Sequence, residues 1–512
     1  MNLSLIFQAW LKYPALFYGL SMLLGYFCYF FSSAYSFIPL LALWLPFLYE
    51  ATTQKKGLHL SCYLSIFLCL SCYIHARSSF ACLDLPEKGL EGQAFLSISS
   101  IEKRSSIFGS RWVYSCFLHQ FNCSNGKNNI NGRLRCFVQI PSSQQFARPS
   151  ANYAYLVKGR LYKNERGSYF LKVSSPGFWK ATRPNLGLVE KRFKIKKQLQ
   201  AKMKSYFSNP VAASFLAGMA TGEFDDGWLK QQFSRFGLQH LMAISGFHFA
   251  ILVFILTVFL RVCLPFRLSI FFTLSLISSY ALLLGPVPSV MRAWLMCTFT
   301  LVGSLLGKEG SSLNFLGVAL IILLLFDPLF IQTLGFQFSF LTTVAIVTLY
   351  RPMDRFLEEI FTTYQLKEIV QTNLFNQYGY CFLAFFRKSM ALGIAVNLFA
   401  IPLTLYYFQK FPYLSMLYNL FFPCLVAFAL FFLMMAFLFS SLPLAGNFLV
   451  WWSNYYTDVI LKMTYQLPLS LDAHFSVRPF SAIYLVVYFT FLLVIALSLQ
   501  EQKKEQAALL FV

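Results

Sequence analysis

Charge is scarce in this sequence, and the scarcity excludes the commonest class of protein. Only 12% of the 512 residues are Asp, Glu, Lys or Arg, against roughly 25% in soluble globular domains. Hydrophobic residues make up 57%, far more apolar surface than a disordered chain leaves in water. Apolar runs of about 20 residues recur and match the thickness of a bilayer. The sequence therefore predicts a polytopic α-helical membrane protein.

Acidic residues are scarcer than basic ones, with 20 Asp and Glu against 42 Lys and Arg, which gives a net charge of +22. An excess of +17 lies between Arg77 and Lys204, where hydropathy is lowest. We expect the partner of this segment to be a polyanion or an anionic surface.

Several motifs that carry chemistry are also missing. No Gly-x-x-x-x-Gly-Lys-Ser/Thr phosphate loop occurs, so an ATP-driven step would need a separate motor. No zinc-ligand spacing and no His-x-His-x-Asp cluster occurs, so neither a metal nor another cofactor is expected.

Three apolar runs open the chain, at residues 14–31, 36–49 and 58–76. The first lacks the charged start and the cleavage site of a secretory signal, so it is predicted to be a retained span. The second is short for a span, and a hairpin that crosses only partly is an alternative. Lys55 and Lys56 place the loop between the second and third runs in the cytoplasm. The amino terminus is then inside, and the chain after Arg77 is outside.

Nine further apolar runs follow Gln239, and basic residues fall at most of their predicted inner ends. This agrees with the positive-inside rule, with Lys410 and Arg478 as exceptions. We expect ten to twelve spans and a cytoplasmic carboxy terminus. The predicted domains are amino-terminal helices (1–76), a β domain (77–187), an amphipathic helix (188–207), a membrane core (208–500) and a tail (501–512).

The basic segment, residues 77–187, is typical of β structure. Runs bounded by Gly, Asn, Ser or Pro predict strands at residues 93–101, 111–119, 132–140, 153–162 and 168–173. Five short strands suit a small barrel, and an OB-like fold is the commonest of this size. The segment is long enough to lie outside the cell despite its positive charge.

Alternation divides the predicted strands into two faces. The third strand places Leu134, Cys136, Val138 and Ile140 on one face and Arg133, Arg135, Phe137 and Gln139 on the other. The fourth places Lys158, Arg160 and Tyr162 together. Proteins that bind single strands combine cations for the phosphates with rings for the bases. Ordinary solvent-facing residues of a basic domain would give the same pattern. Four other aromatic residues are predicted to lie in the core: Trp112, Tyr114, Tyr153 and Tyr155.

Residues 188–207 predict a Lys-rich amphipathic helix at the membrane interface. Its apolar positions are Leu188, Ile195, Leu199, Met203 and Tyr206. Arg192 and Lys196 fall near this stripe, so their charged heads are expected to snorkel. A solvated helical linker is the alternative.

Four cysteines, Cys82, Cys116, Cys123 and Cys136, lie in the predicted external region. An oxidising compartment permits two disulfides there, and a Cys116–Cys123 bridge could close the loop after the second strand. Cys136 could equally be a core residue of its strand.

Four motifs in the membrane core carry a resemblance. They are HLMAISGFHFAIL (240–252), PSVMRAWLM (288–296), DPLFIQTLGFQFSF (327–340) and IPLTLYYFQKFPYLSMLYNLFFP (401–423). In this order they resemble the ComEC family, the membrane channel through which competent bacteria import single-stranded DNA. The resemblance implies a path for one DNA strand with an OB-like domain near its mouth. Many members add a metallo-β-lactamase-like domain. Only thirteen residues follow Leu499, so we expect any nuclease to be a separate polypeptide or dispensable.

A path for a polyanion needs polar or positive lining that binds weakly enough for the strand to leave. The candidate residues in the motifs are His240, Ser245, Gly246, His248, Arg292, Asp327 and Gln337. Each polar one could instead be an interhelical hydrogen-bond partner, and Asp327 before Pro328 could simply begin a turn. Asp225 and Asp226 precede the core and could bind a cation, cap a helix or form a solvated turn.

Two other functions compete with DNA transport. Ser245 and His248 would share a helical face, as an intramembrane serine hydrolase requires, but the Gly-x-Ser-Gly motif of rhomboid proteases is incomplete. A secondary transporter of another anionic substrate is the second rival. Under the DNA hypothesis the protein is not an enzyme. Its partners are single-stranded DNA, the lipid bilayer, a periplasmic or surface DNA receptor and a cytoplasmic ATP-driven helicase or translocase.

Overall fold

The computed structural model describes residues 12–30, 56–81, 85–86, 89–106, 109–124, 129–141, 148–164, 168–174, 179–242, 244, 246–308, 310–361, 369–440, 442–465 and 473–509. The predicted span at residues 36–49, Cys82 and Ser245 lie outside the described residues.

Six strands form one sheet in the basic segment. They are β1 (Leu90–Ser106), β2 (Gly109–Cys123), β3 (Ile130–Pro141), β4 (Tyr153–Lys163), β5 (Tyr169–Val173) and β6 (Trp179–Pro184). The five predicted strands are thus confirmed, with β1 and β2 longer than predicted, and β6 is an addition. The sequence does not predict β6 because its residues alternate in no apolar pattern and are exposed from Lys180 to Pro184.

The strand pairings return to their starting point. β1 pairs with β2, β2 with β3, β3 with β5, β5 with β4, and β4 again with β1. Only the β3–β5 pair is parallel. β6 extends the sheet from β4. Shifts in the β1–β2 register at Phe95/Leu96 and Ile98/Ser100 bend β1, as bulges do, which explains how it pairs along both edges.

The inward side chains of these strands form the core of the β domain. Leu134, Cys136, Val138 and Ile140 are buried, so the predicted inward face of β3 is confirmed. They pack in one cluster with residues such as Leu96, Leu118, Tyr114 and Leu161. Each fully buried aliphatic side chain contributes about 1.5 to 3 kcal/mol.

The helices in the described part of the chain follow in order. They are α1 (Pro14–Phe30), α2 (Lys56–Ser79), α3 (Leu188–Tyr206), α4 (Pro210–Thr221), α5 (Gly227–Arg235), α6 (Gln239–Met242), α7 (Gly246–Cys263), α8 (Phe266–Leu284), α9 (Pro288–Leu305), α10 (Ser312–Phe326), α11 (Leu334–Ile360), α12 (Leu374–Phe408), α13 (Leu414–Leu438), α14 (Pro443–Tyr465) and α15 (Ala482–Leu509). A 3₁₀ helix, Pro328–Gln332, precedes α11, and a short hairpin pairs β7 (Lys410–Pro412) with β8 (His474–Ser476).

Five of the described helices are long and apolar enough to cross a membrane: α7, α8, α11, α12 and α13. Shorter apolar helices include α1, α4 and α10. The protein is therefore a helical membrane protein with a β domain towards its amino terminus. The total of ten to twelve spans stays a prediction.

The chain divides into two compact units, each described separately. One comprises Met1–Tyr73, Met291–Pro423 and Asp472–Val512, and the other comprises Ile74–Val290 and Cys424–Leu471. The β domain, α3 and α8 belong to the second unit. The predicted domain boundaries stay predictions.

In the first unit, α1 packs closely on α10 across a glycine. A Cβ atom placed on Gly317 would collide with the backbone of Ala15 and Leu16. The absent side chain therefore lets the two helices approach each other. Asn314 Nδ2 also donates to Lys12 O at 3.1 Å, which satisfies a backbone carbonyl before α1.

Candidate nucleic-acid interface and membrane clusters

Three aromatic rings form a row on the outer face of the β domain. Phe137 on β3, Phe170 on β5 and Tyr162 on β4 all point away from the core and are half-buried. The register places Phe137 beside Phe170 and Phe170 beside Tyr162. The ring centroids are 5.5 Å and 5.8 Å apart, and the second pair is nearly parallel at 20°. We call these three residues the aromatic row.

Cationic side chains follow the row along the outer face of β4 and β5. Lys172 on β5 lies opposite Arg160 on β4, and Lys158 is the next outward residue on β4; all three are exposed. Two residues along a strand span about 7 Å, so Arg160 and Lys172 lie within reach of a phosphate whose base contacts the row. Lys158 lies about 13 Å along β4 from Tyr162 and continues the line of positive charge. We call Lys158, Arg160 and Lys172 the cationic row.

Arg160 is not a free cation. Its Nε donates to Glu91 Oε1 at 3.0 Å, and its Nη2 contacts the same oxygen. Both side chains are more than half exposed, and exposed ion pairs contribute only about 0 to 1 kcal/mol. An incoming phosphate can therefore compete with Glu91 for this guanidinium.

The two predicted arginines of β3 extend the face towards β2. The Arg133 guanidinium lies 3.9 Å from the ring centre of Phe117, a cation–π contact. Arg135 pairs in register with Phe117 and is half-buried. The structure thus brings the six predicted face residues onto one outer surface, with Phe117 and Phe170 added.

Phe170 is the functional candidate that sequence reasoning missed. Its strand was predicted, but five residues with mixed polarity do not show which ring matters. Only the parallel β3–β5 register places Phe170 between Phe137 and Tyr162. Alternation of Phe170 and Lys172 in the predicted strand was the available signal.

The other aromatic predictions are confirmed in part. Tyr114 and Tyr155 are buried, and Trp112 packs against the core. Tyr153 is 45% exposed at the start of β4, so its assignment to the core is wrong.

The predicted Cys116–Cys123 disulfide is also wrong. Both residues lie on β2, which is one continuous strand. Seven residues of strand span about 23 Å, whereas a disulfide needs Cα atoms within about 7 Å. Cys116 instead lies opposite Cys136. Burial raises the pKa of the Cys136 thiol to about 12, and Cys136 is the core residue that the alternative expected.

Helix α3 fixes the β domain to the neighbouring elements. Phe193 joins the β-domain core. Glu190 accepts from Arg148 Nη1 at 3.2 Å and from Ala151 N at 3.0 Å. Burial acts to raise the pKa of Glu190, but these hydrogen bonds outweigh it and hold the pKa below 4.5. The carboxylate is therefore charged and stabilising at neutral pH.

Two other side chains of α3 bind the carboxyl end of α8. Arg192 Nε donates to Leu282 O at 2.9 Å, and Lys196 Nζ donates to Leu284 O at 3.1 Å. Lys196 also pairs with Glu223 at 3.0 Å. Cations at a helix carboxyl end satisfy its unpaired carbonyls and its dipole.

The prediction of a helix at residues 188–207 is therefore confirmed, and the expected snorkelling of Lys196 is wrong. Leu188, Ile195 and Tyr206 are exposed, whereas Glu190 and Lys196 are buried. The charged groups are buried because polar partners surround them, so neither snorkelling nor a solvated linker describes this helix. Contact of the exposed stripe with lipid stays a prediction.

The two aspartates before the core do not form a cation site. Asp226 Oδ1 accepts from Trp228 N at 2.9 Å and caps α5, which confirms the capping alternative. Asp225 binds Lys197 Nζ at 2.9 Å. Among the described residues, no group of three or more His, Cys, Asp or Glu could hold a metal.

Three candidate membrane residues lie in the second unit. His240 lies on α6, exposed, with Nδ1 at 3.1 Å from Gly237 O. Gly246 begins α7, and His248, two residues later, is buried. Ser289 Oγ donates to Ile244 O at 3.2 Å, which joins the first two motifs. Since Ser245 is not described, the predicted relation of Ser245 to His248 stays a prediction.

The other three lie in the first unit. Asp327 is buried, and its Oδ1 accepts from Leu329 N at 3.3 Å to cap the 3₁₀ helix. Gln337 Nε2 donates to Ile331 O of that helix at 2.9 Å. Arg292 on α9 is buried, and its Nε donates to Ser339 Oγ on α11 at 2.8 Å. Asp327 and Gln337 thus shape the start of α11, and Arg292 joins the second motif to the third.

Comparison with known proteins decides the family. The family model described as "Competence protein" matches residues 226–502, just over half of the chain. The chain belongs to the Competence protein family. The "ComE operon protein 3" of Bacillus subtilis (strain 168) is 26% identical over 189 residues, which cover 37% of this chain and 21% of that protein. No solved structure matches the chain.

The Competence match includes the six candidate residues described in the membrane core and none of the strands β1–β6. His240, Gly246, His248, Arg292, Asp327 and Gln337 lie within residues 226–502, as does Ser245. The aromatic row and the cationic row lie before this range. The family therefore accounts for the membrane core, and the role of the β domain rests on its own geometry.

Proposed function

We propose that the protein passes single-stranded DNA through the cytoplasmic membrane during natural transformation. It acts as a conduit and not as an enzyme. The β domain receives the strand outside the cell and guides it to the helical core. The observation that carries the proposal is the aromatic row beside the cationic row, attached to a Competence membrane core.

The strand order supports an OB-like barrel. A circuit β1-β2-β3-β5-β4-β1 with one parallel pair matches a five-stranded closed Greek-key arrangement, and OB-folds bind oligonucleotides on the outer face that includes strands 2 and 3. Phe117 lies on β2 and Phe137 on β3. The proposed binding face begins on these two strands and continues across β5 to β4.

The chemistry of the face suits a single strand better than a duplex. Ring faces are available only to unpaired bases, and each stacked base contributes about 1 to 3 kcal/mol. The rings are 5.5 and 5.8 Å apart, so two or three neighbouring bases can stack. The cations add sequence-independent attraction for the phosphates, which weakens with salt.

Orientation follows from charge. With the amino terminus and Lys55–Lys56 loop inside, residues after Arg77 lie outside. The protein is then a multi-pass inner-membrane protein with both termini in the cytoplasm. A surface or periplasmic receptor delivers DNA to the β domain, a cytoplasmic ATP-driven helicase or translocase pulls it, and any nuclease is separate.

The test is uptake in the source bacterium after deletion of this gene. We expect labelled DNA to bind the cell surface normally, while labelled strands fail to reach the cytoplasm and transformants disappear. The cloned gene should restore both. Normal cytoplasmic entry in the deletion strain would refute the proposal. Failure of the purified protein to bind single-stranded oligonucleotides at low salt would favour a transporter of another anion.

A further inference from the structure

Two buried arginines in the first unit differ in how their charge is compensated. Arg292 and Arg387 are both 7% exposed. Arg387 on α12 pairs through Nε with Asp354 at 3.2 Å and through Nη2 with Glu358 at 3.1 Å. Two carboxylates of α11 therefore neutralise Arg387, and its role is to join two helices.

Arg292 contacts only neutral groups in the described part of the chain. Nε donates to Ser339 Oγ at 2.8 Å, and Nη1 donates to Thr343 Oγ1. The sulfur of Met296 lies 3.8 Å from Nη1. None of these groups carries a negative charge, and Nη2 has no acceptor among the described residues.

An uncompensated cation that is 7% exposed is costly to keep. Removing a charge from water costs several kcal/mol unless a counter-charge replaces the solvent. Charged residues in membrane proteins are accordingly rare and mark paths for ions or substrates. The two hydroxyls orient the guanidinium without neutralising it, which leaves an oriented positive charge available to a mobile anion.

We propose that Arg292 is a phosphodiester-binding site inside the membrane core, held in position by Ser339 and Thr343. This inference rests on the proposed function, since the passing strand supplies the phosphates. A guanidinium presents a planar fork of donors that suits phosphate oxygens. One such cation without a second is weak enough to release each phosphate as the strand moves.

The main experiment compares three variants in the full-length protein. Arg292→Gln removes the site, Arg387→Gln removes the compensated arginine, and Arg355→Gln removes an exposed arginine of α11 as the control. Each is measured for the thermal unfolding midpoint in detergent and for cytoplasmic entry of labelled strands in the deletion strain.

For Arg292→Gln we expect the unfolding midpoint to stay or rise, because an uncompensated buried charge is lost. Entry should fall about 10- to 100-fold, the factor for one lost charge-assisted contact. Arg387→Gln should lower the unfolding midpoint, since it leaves the carboxylates of Asp354 and Glu358 without their cation. The proposed site would be refuted if Arg292→Gln allowed as much strand entry as the wild type. It would also be refuted if Arg292→Gln lowered the unfolding midpoint as much as Arg387→Gln does.

Two further measurements keep the inference testable if Arg292→Gln does not accumulate. Arg292→Lys keeps the charge without the fork and should show an intermediate loss of entry. Thr343→Val removes only one of the two hydroxyls that orient Arg292, so most of the strand entry should remain. If Thr343→Val lowered the unfolding midpoint as much as Arg387→Gln, the arginine would be a helix-joining residue and the site would be refuted.

A soluble phosphodiester separates this inference from the proposed function. Millimolar diethyl phosphate should raise the unfolding midpoint of the wild type and of Arg355→Gln, but not of Arg292→Gln. If the midpoint rises in this way but deletion of the gene leaves DNA uptake normal, the anion site is supported and the proposed DNA function is refuted. The same rise in all three proteins would refute the site.

Discussion

Replacement of Phe170 tests the aromatic row most directly, because this ring touches both of its neighbours. Its centroid lies 5.5 Å from that of Phe137 and 5.8 Å from that of Tyr162. Phe170→Ala leaves two separate rings in place of three adjoining ones. One base then loses its stacking partner, at a cost of about 1 to 3 kcal/mol. This corresponds to a Kd for single-stranded DNA about 5 to 150 times higher.

The assay is fluorescence anisotropy of a labelled oligothymidylate with the full-length protein in detergent at low salt. The slope of log Kd against log salt should match that of the wild type, because the variant keeps every cation. Tyr153→Ala is the matched control. Tyr153 is 45% exposed on the same strand as Tyr162, but about 30 Å along it, and its loss should leave binding unchanged.

Loss of folding is separated from loss of stacking by Phe170→Leu. Leucine keeps much of the apolar volume beside Phe137 and Tyr162 but offers no aromatic face. We expect Phe170→Leu to keep the unfolding midpoint near that of the wild type and to bind as weakly as Phe170→Ala. If Phe170→Leu bound like the wild type, or if Tyr153→Ala weakened binding equally, stacking on the row would be refuted.

Two other substitutions test the fold. Gly317→Leu should lower the thermal unfolding midpoint, because the new side chain collides with the backbone of Leu16 and overpacking costs about 1 to 3 kcal/mol or more. Gly335→Ala is the control and should leave the midpoint unchanged, because no atom lies within 4 Å of a Cβ placed there. Glu190→Gln should lower the free energy of unfolding at pH 7 by about 3 kcal/mol, the cost of breaking a buried ion pair with Arg148, as measured by denaturant titration.

The pH dependence of the second substitution has a definite sign. The folded pKa of Glu190 lies below 4.5, its ordinary value. Its contribution is therefore complete above pH 4.5 and is lost as the pH falls through the folded pKa. The difference between wild type and Glu190→Gln should shrink below pH 4.5. A difference that persisted there, or equal midpoints for Gly317→Leu and Gly335→Ala, would contradict these assignments.

The inner face of the β domain was predictable because period-two alternation is a local property. Leu134 and Val138 needed only their neighbours in the sequence to be placed inside. Residues 179–184 gave no such signal, because an exposed strand at the edge of a sheet needs no apolar face. The aromatic row needed the β3–β5 register, which depends on residues about thirty apart.

The buried face of α3 could not be predicted from its own residues. Lys196 and Glu190 are charged, and an amphipathic pattern places such residues outward. Their partners Glu223, Leu284 and Arg148 lie far away in the chain. Burial of these groups is decided by tertiary partners, and local hydropathy does not contain that information.

In the membrane core, the motifs supplied candidate polar residues but not the contacts that these residues make. Asp327 was a candidate residue of the DNA path that could instead end a helix or begin a turn, and the structure places it between α10 and the 3₁₀ helix, which it caps. Arg292 was predicted as a candidate lining residue or an interhelical hydrogen-bond partner. That Arg292 meets hydroxyls, while Arg387 meets carboxylates, follows from how α9 and α12 pack on α11, which spacing alone does not reveal.

The anchoring of α3 has a mechanical consequence. Phe193 is part of the β-domain core, while Arg192 and Lys196 bind the last carbonyls of α8, so α3 joins the β domain directly to a helix that is long and apolar enough to cross a membrane. Under the proposed function, tension on a DNA strand held by the aromatic row would pass through α3 into α8, and the pull of a cytoplasmic motor would reach the β domain.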